Sequence, residues 1–183
     1  MTTTKLSNYV LSIEIQDFGA ELHSIKKDDV EYLWQGDPDF WARQAPVLFP
    51  IVGKLKNGSY TYDNETFKLG GHGFARDQVF KLLESEADEA IFELRTSRET
   101  RAVYPFDFRL RITYKLIGNQ LTVKWEVKNL DDQEMYFGIG AHPAFNVPLE
   151  NGTFEDYRLT ISPAKSRQYI PLNPATGVLD LSQ

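Results

Sequence analysis

Three histidines, His23, His72 and His142, are the side chains of this 183-residue chain best suited to proton transfer near neutrality, because cysteine is absent. Their settings differ. His23 lies in Glu21-Leu22-His23-Ser24-Ile25, where apolar and polar residues alternate, and reads as a strand histidine without chemical work. His72 lies in Leu69-Gly70-Gly71-His72-Gly73-Phe74-Ala75-Arg76-Asp77. Three glycines crowding one histidine permit unusual backbone angles and close approach of a ligand. A Gly-rich hairpin that merely contains a histidine has the same composition, so both readings stand. His142 lies in Gly138-Ile139-Gly140-Ala141-His142-Pro143-Ala144-Phe145-Asn146. A strand runs into it and Pro143 ends that strand, which suits a fixed catalytic imidazole. A buried histidine bonded to backbone fits the same pattern.

Cations and aromatics gather around the same segments. Arg43, Lys54 and Arg76 flank the apolar stretch Ala45–Gly53 and the His72 loop. Positive groups there could hold hydroxyls or a phosphate through charge-assisted hydrogen bonds, although for Arg43 ordinary solvated charge is the plainer reading. Trp34, Trp41, Phe74 and Phe145 lie close by. Aromatic faces stack on the apolar faces of sugars, yet most aromatics in a β protein are core, and for Phe74 and Phe145 both readings stand.

Other chemistries find no support. No histidine pair has the His-x-His or His-x-x-x-His spacing of a metal site, and thiolate ligands and thiol nucleophiles are excluded with cysteine. A Gly-x-Ser-x-Gly elbow is missing. Gly53-Lys54-Leu55 lacks the Ser/Thr and upstream glycine of a phosphate loop, and Gly70-Gly71-His72-Gly73 does not open a helix as a dinucleotide fingerprint must. A net charge of −6 argues against nucleic acid, whose binding needs a basic face. The N-terminus lacks the apolar core of a signal peptide, and the longest apolar run is broken by Pro46 and Pro50, far short of a bilayer span. The expectation is therefore a cytoplasmic protein with no membrane partner.

The elements that must position these residues are strands. Hydrophobic residues make up 42% of the chain and aromatics 13%, enough for a substantial core. Phe106, Phe108, Leu110, Ile112, Tyr114 and Leu116 alternate with polar residues, as do Leu121, Val123, Trp125 and Val127. Gly118-Asn119 between them predicts a type II′ hairpin. Tyr9–Ile15, Glu21–Lys26, Phe67–Leu69, Val79–Glu86, Glu89–Ser97, Met135–Ile139 and Tyr157–Ile161 also read as strands. Only residues 37–42 read as helical, with Asp37 as N-cap and Pro38 as first helical residue. Asp131–Glu134 reads as a charged turn, and Pro174–Gly177 as another. Short strands with turn signals predict an all-β sandwich or barrel in one domain, residues 1–183.

The motifs together resemble the aldose 1-epimerase (galactose mutarotase) family, and within it the LacX-type branch. The resemblance rests on Gly19-Ala20-Glu21-Leu22-His23-Ser24-Ile25, Glu31-Tyr32-Leu33-Trp34-Gln35-Gly36-Asp37-Pro38, Ala45-Pro46-Val47-Leu48-Phe49-Pro50-Ile51-Val52-Gly53, His72-Gly73-Phe74-Ala75-Arg76 and Gly140-Ala141-His142-Pro143-Ala144-Phe145. Five ordered motifs over nearly the whole chain are far more specific than any one.

The resemblance implies an antiparallel β-supersandwich and the interconversion of α and β anomers of free sugars, with galactose, glucose or a phosphosugar as the small-molecule partner. A histidine acts as general acid on the ring oxygen and a glutamate as general base on the C1 hydroxyl, with no cofactor. By position, His142 matches the acid and His72 the second, sugar-binding histidine. Lys54 falls where the family usually has arginine, losing the bidentate fork. Arg76, Phe74 and Phe145 complete the expected sugar contacts. His-Gly-Phe-Ala-Arg also matches hexose-6-phosphate epimerases. The general base is expected in a late Glu-Pro-Trp-like motif that is not found before Gln183. The expectation is the N-terminal and central part of a longer family domain, with a non-catalytic sugar-binding module as the alternative.

Overall fold

The computed structural model describes residues 1–162 and 171–178. The strands in chain order are β1 (Thr3–Ser7), β2 (Ser12–Gln16), β3 (Leu22–Lys27), β4 (Val30–Glu31), β5 (Val47–Leu48), β6 (Ser59–Tyr62), β7 (Glu65–Lys68), β8 (Lys81–Ser85), β9 (Glu89–Arg95), β10 (Phe108–Ile117), β11 (Gln120–Asn129) and β12 (Gly140–Ala141). One six-residue helix, α1 (Arg98–Val103), joins β9 to β10. Two four-stranded antiparallel sheets, β1-β2-β3-β4 and β11-β10-β9-β8, carry the fold, with the small pairs β12-β5 and β6-β7 beside them. The all-β expectation holds, and the protein is an antiparallel β-sandwich.

Alternation decides which face goes inward. On β10, Phe108, Leu110, Ile112, Tyr114 and Leu116 are at most 2% exposed. They meet Phe92 and Leu94 of β9 and Leu6, Ile13, Ile15 and Leu22 of the first sheet in one apolar cluster. The phenol of Tyr114 donates to the Ala20 carbonyl at 2.7 Å and so ties the two sheets together. Burial raises the Tyr114 hydroxyl above the ordinary tyrosine value. On the polar face, buried Glu93 takes hydrogen bonds from Arg95 and Arg111 at 2.6 and 2.8 Å. β10 and β11 join through Gly118-Asn119, with Gly118 at φ +57° and Asn119 outside the positive region, as a type II′ turn requires.

Three expectations are corrected. Residues 37–42 form one turn, closed by the Phe40 and Trp41 amides on the Asp37 carbonyl. The turn does not continue as a helix: the Trp41 carbonyl accepts from the Trp34 indole, and the Ala45 amide that a helix would aim at it donates to Glu21. Met135–Ile139 is not a strand. Gly138 donates to the Pro50 carbonyl, but Pro50 has no N–H to return, and ladder pairing begins only at Gly140. Tyr157–Ile161 has strand-like alternation but no strand partner among the described residues, and Leu159 is 88% exposed.

Other elements escaped the alternation. β1 contributes only Thr4 and Leu6 inward. The turn joining β6 to β7 uses Asp63 and Asn64, both at positive φ. α1 depends on a capping box between Ser97 and Thr100 rather than on an apolar stripe. The Pro174–Gly177 turn is present, closed by the Gly177 amide on the Asn173 carbonyl. Residues 179–183 lie outside the described ones.

Candidate active site

Residues 44–53 form a rail to which both candidate histidines are fastened. On one side, Gly140 and Ala141 pair with Leu48 and Val47. Ala144 then donates to the Gln44 carbonyl at 2.9 Å, so His142 is held between two anchored points. Beyond it, Asn146 closes the segment onto the Tyr32–Trp34 stretch with its backbone and its side-chain amide. On the other side, the amides of Phe74 and Ala75 both donate to the Phe49 carbonyl, and Phe49 bridges Gly73. The longest apolar run in the sequence is therefore the site's scaffold.

His72 takes a left-handed backbone, φ +65°, and exchanges two hydrogen bonds with Gly53. Its amide donates to the Gly53 carbonyl at 2.7 Å, and its Nδ1 accepts from the Gly53 amide at 3.1 Å. An accepting Nδ1 assigns the neutral ring's proton to Nε2. Burial pushes this imidazole below the ordinary histidine value, and the neighbouring Arg76 and His142 push the same way. His72 therefore offers a neutral N–H donor at neutral pH.

His142 is exposed and lies beside His72, with the ring centroids 5.9 Å apart and the planes at 71°. Its other neighbour is the half-buried Trp41, at 4.9 Å and 43°. The chain thus brings together the two histidines singled out by sequence, and His23 sits elsewhere than in that ring contact. The latter lines a polar recess with Glu14, Gln16 and Gln35.

The remaining sequence candidates divide. Arg76 belongs to the histidine neighbourhood, but as a brace. It donates to the Gly71 carbonyl at 2.8 Å, and its Nε lies 3.7 Å from the Asp77 carboxylate. Arg43 pairs with the same Asp77 at 2.5 Å and reaches the Arg76 carbonyl, so it is more than solvated charge. Phe74 turns into the core. It is 9% exposed and packs against Phe49, Tyr104 and Phe108, because Gly73 turns the chain inward there. Phe145 is 55% exposed but lines a groove with Ile25, Tyr32 and Leu121, apart from the histidine pair. Lys54 is exposed and lines another recess with Leu55, Asn57 and Gly58. Among the described residues no group of three or more metal-ligating side chains occurs. None of the described helices is long and apolar enough to cross a membrane.

Sequence reasoning passed over Glu21. This carboxylate is 4% exposed, and its Oε1 accepts from the amides of Gln44 and Ala45 at 2.9 and 2.8 Å, fixing the start of the rail. A glutamate beside apolar residues gives no sign that it points inward. Glu21→Ala would orphan two buried donors at about 1–3 kcal/mol each. A marked loss in thermal melting is expected, with Glu21→Gln, which keeps an acceptor, much milder. Equal losses would contradict the assignment.

Acid should loosen this neighbourhood. The native His72 value lies below the unfolded one, so the unfolded chain binds more protons and stability falls as pH drops through 6.5 toward the native value. Protonation also removes the acceptor for Gly53. His23, lowered by its own burial against the opposing pull of Glu21 and Glu14, contributes with the same sign. Melts between pH 7.5 and 5 should show a smaller acid loss in His72→Asn, since asparagine tolerates positive φ and carries no titrating proton. An unchanged pH slope would contradict this role.

Two rigid loops presenting a neutral N–H donor and an exposed imidazole side by side suit acid–base work on an oxygen-rich substrate. Comparison with known proteins identifies the family. The profile of the family described as aldose 1-epimerase matches residues 3–182. This chain belongs to the aldose 1-epimerase family. It is 40% identical over 187 residues to the plasmid and chromosomal LacX proteins of Lactococcus lactis subsp. lactis, covering 98% of this chain and 62% of theirs. Its fold superimposes on a galactose mutarotase related enzyme from Lactobacillus acidophilus with a TM-score of 0.92 and 42% identity, over 98% of this chain and 60% of that one. A galactose mutarotase-like protein from Lactobacillus casei gives 0.78 and 37%, over 80% and 50%. The chain thus spans about three fifths of the LacX length.

Proposed function

We propose that the His72–His142 pair is the sugar site of an aldose 1-epimerase, acting on a neutral aldohexose such as galactose or glucose. The observation that carries this reading is the juxtaposition itself. Two histidines from distant segments, each pinned to one rail, meet at 5.9 Å. In this reading His142 gives its proton to the ring oxygen as the C1–O bond breaks. His72, as the neutral Nε2–H tautomer, donates a hydrogen bond to the oxygen that gains charge. A general base takes the C1 hydroxyl proton. The aldehyde then rotates about C1–C2, and the ring recloses on its other face. No described residue is given the role of base.

The phosphosugar alternative is less well served. Arg76, the group it needs, spends one Nη2 hydrogen bond on the Gly71 carbonyl, and its charge is balanced by Asp77 at 3.7 Å, which Arg43 also shares. A titration followed by the C2 protons of the three histidines separates the readings. Galactose or glucose should move the His72 and His142 resonances and leave His23 alone, with glucose 6-phosphate binding no more tightly than glucose. Tighter binding of the phosphosugar, lost in Arg76→Ala, would overturn the neutral-sugar assignment.

A further inference from the structure

The segment 34–43 has features that the histidine pair alone does not explain. It is clamped at three places. The Trp34 indole donates to the Trp41 carbonyl at 2.8 Å, and the Trp41 amide donates to the Asp37 carbonyl at 2.8 Å. Arg43 ties the end of the segment to Asp77 and to the Arg76 carbonyl in the turn that follows the His72 loop. Asp37 further caps the turn by accepting from the Asp39 amide at 2.9 Å. The edge of Phe40 packs on Trp34 at 6.2 Å, although Phe40 itself is 81% exposed. Such bracing in a surface segment without a helix or strand costs conformational entropy and calls for a use. Its outcome is that the Trp41 ring rests against His142.

We infer that Trp41 is a positioning residue, whose indole fixes the orientation of the His142 imidazole for proton delivery to a sugar. An exposed imidazole on a strand exit would otherwise sample several rotamers. His72 meets His142 edge-on at 71°, and Trp41 meets it from elsewhere at 43°, so the imidazole is bounded by two rings. Proton transfer demands alignment of the donor with the accepting oxygen, and small misplacements cost large factors in rate. Trp41 acts through His142 and is not given a proton or a sugar contact. The inference rests on the sugar-site reading for its functional part. Its structural part, the fixed imidazole, stands or falls separately.

The experiment compares the wild-type protein with Trp41→Phe, Trp41→Leu and His142→Gln. Histidine ring-proton resonances are recorded with and without galactose, and anomer exchange is read in the same samples. Without sugar, Trp41→Leu should move the His142 resonances by removing the indole ring current, and should abolish cross-relaxation between the His142 ring protons and residues of the 34–43 segment. Trp41→Phe should retain part of both. With sugar, Trp41→Leu should lose most of the galactose response at His142 while the response at His72 persists. Its exchange rate should drop about tenfold or more at saturating sugar, with phenylalanine restoring most of it. Retention in Trp41→Leu of both the sugar-free His142 contacts and the galactose response would overturn the inference, as would equal behaviour of the leucine and phenylalanine variants. Wild-type protein in which galactose moves neither histidine would instead overturn the sugar-site reading. The sugar-free spectra would then still decide the positioning role.

Discussion

Alanine at position 73 is expected to lower the melting temperature by about 10 °C and to separate the two candidate histidines. Gly73 sits at φ +71° with its backbone pressed onto the rail. A Cβ built there would lie 2.2 Å from the Phe49 carbonyl oxygen, 2.5 Å from its carbon and 2.6 Å from the Pro50 nitrogen. All three are backbone atoms, so no rotamer change relieves the clash, and the loop must lift. Lifting breaks the bonds from the Phe74 and Ala75 amides to Phe49 and pulls Phe74 from its aromatic neighbours. Overpacking together with a strained left-handed alanine costs roughly 3 kcal/mol or more. For a chain of this size that is about 6–12 °C. Gly70 provides the control, since a Cβ there meets nothing within 4 Å and its φ is not positive. Gly70→Ala should melt within about 1–2 °C of the parent. Similar losses for the two variants, measured by calorimetry or near-ultraviolet circular dichroism, would contradict the rail.

His142→Gln is expected to reduce anomer exchange by about 10²–10⁴-fold, the usual worth of a placed general acid. Glutamine retains hydrogen-bonding capacity but cannot surrender a proton near neutrality. His142 is exposed and outside the core, so the fold should be untouched and galactose affinity should change only a few-fold. His72→Asn is expected to do the reverse in part, weakening binding more than it lowers the rate at saturation. Its proposed role is a hydrogen bond rather than a transferred proton. Steady exchange measurements over a range of sugar concentrations separate the two patterns. An unchanged rate in His142→Gln would remove the general-acid assignment.

Much of this architecture is legible from residue order. The β10–β11 hairpin follows from strict alternation and from Gly118, because a ten-residue strand with one buried face leaves little freedom of register. Of the glycines around His72, Gly73 marks a real backbone demand. What resists reading is direction. Phe74 and Phe145 occupy similar places beside their histidines, yet one turns into the core and the other lines a separate groove. The difference is set by the backbone pressed against Phe49, a contact between distant segments. Glu21 looks like a surface strand residue and is a buried acceptor. Asp37–Ala42 carries helix-start signals, but the Trp34 indole captures the Trp41 carbonyl and the turn stops. Alternation at Met135–Ile139 points to a strand, while prolines in the rail leave too few donors to form one. Except for the Trp34–Trp41 bond, the deciding partner is far away in the chain.

The central claim is that the paired histidines open and close a sugar ring, and magnetisation-exchange NMR between the α and β anomers of galactose tests it most directly. The protein should accelerate that exchange above the buffer rate, the acceleration should vanish in His142→Gln, and galactose should perturb His72 and His142 but not His23. Galactose binding at both histidines without acceleration would contradict catalysis by these residues alone and favour a sugar-binding module. Neither acceleration nor any response at the two histidines would contradict the site itself.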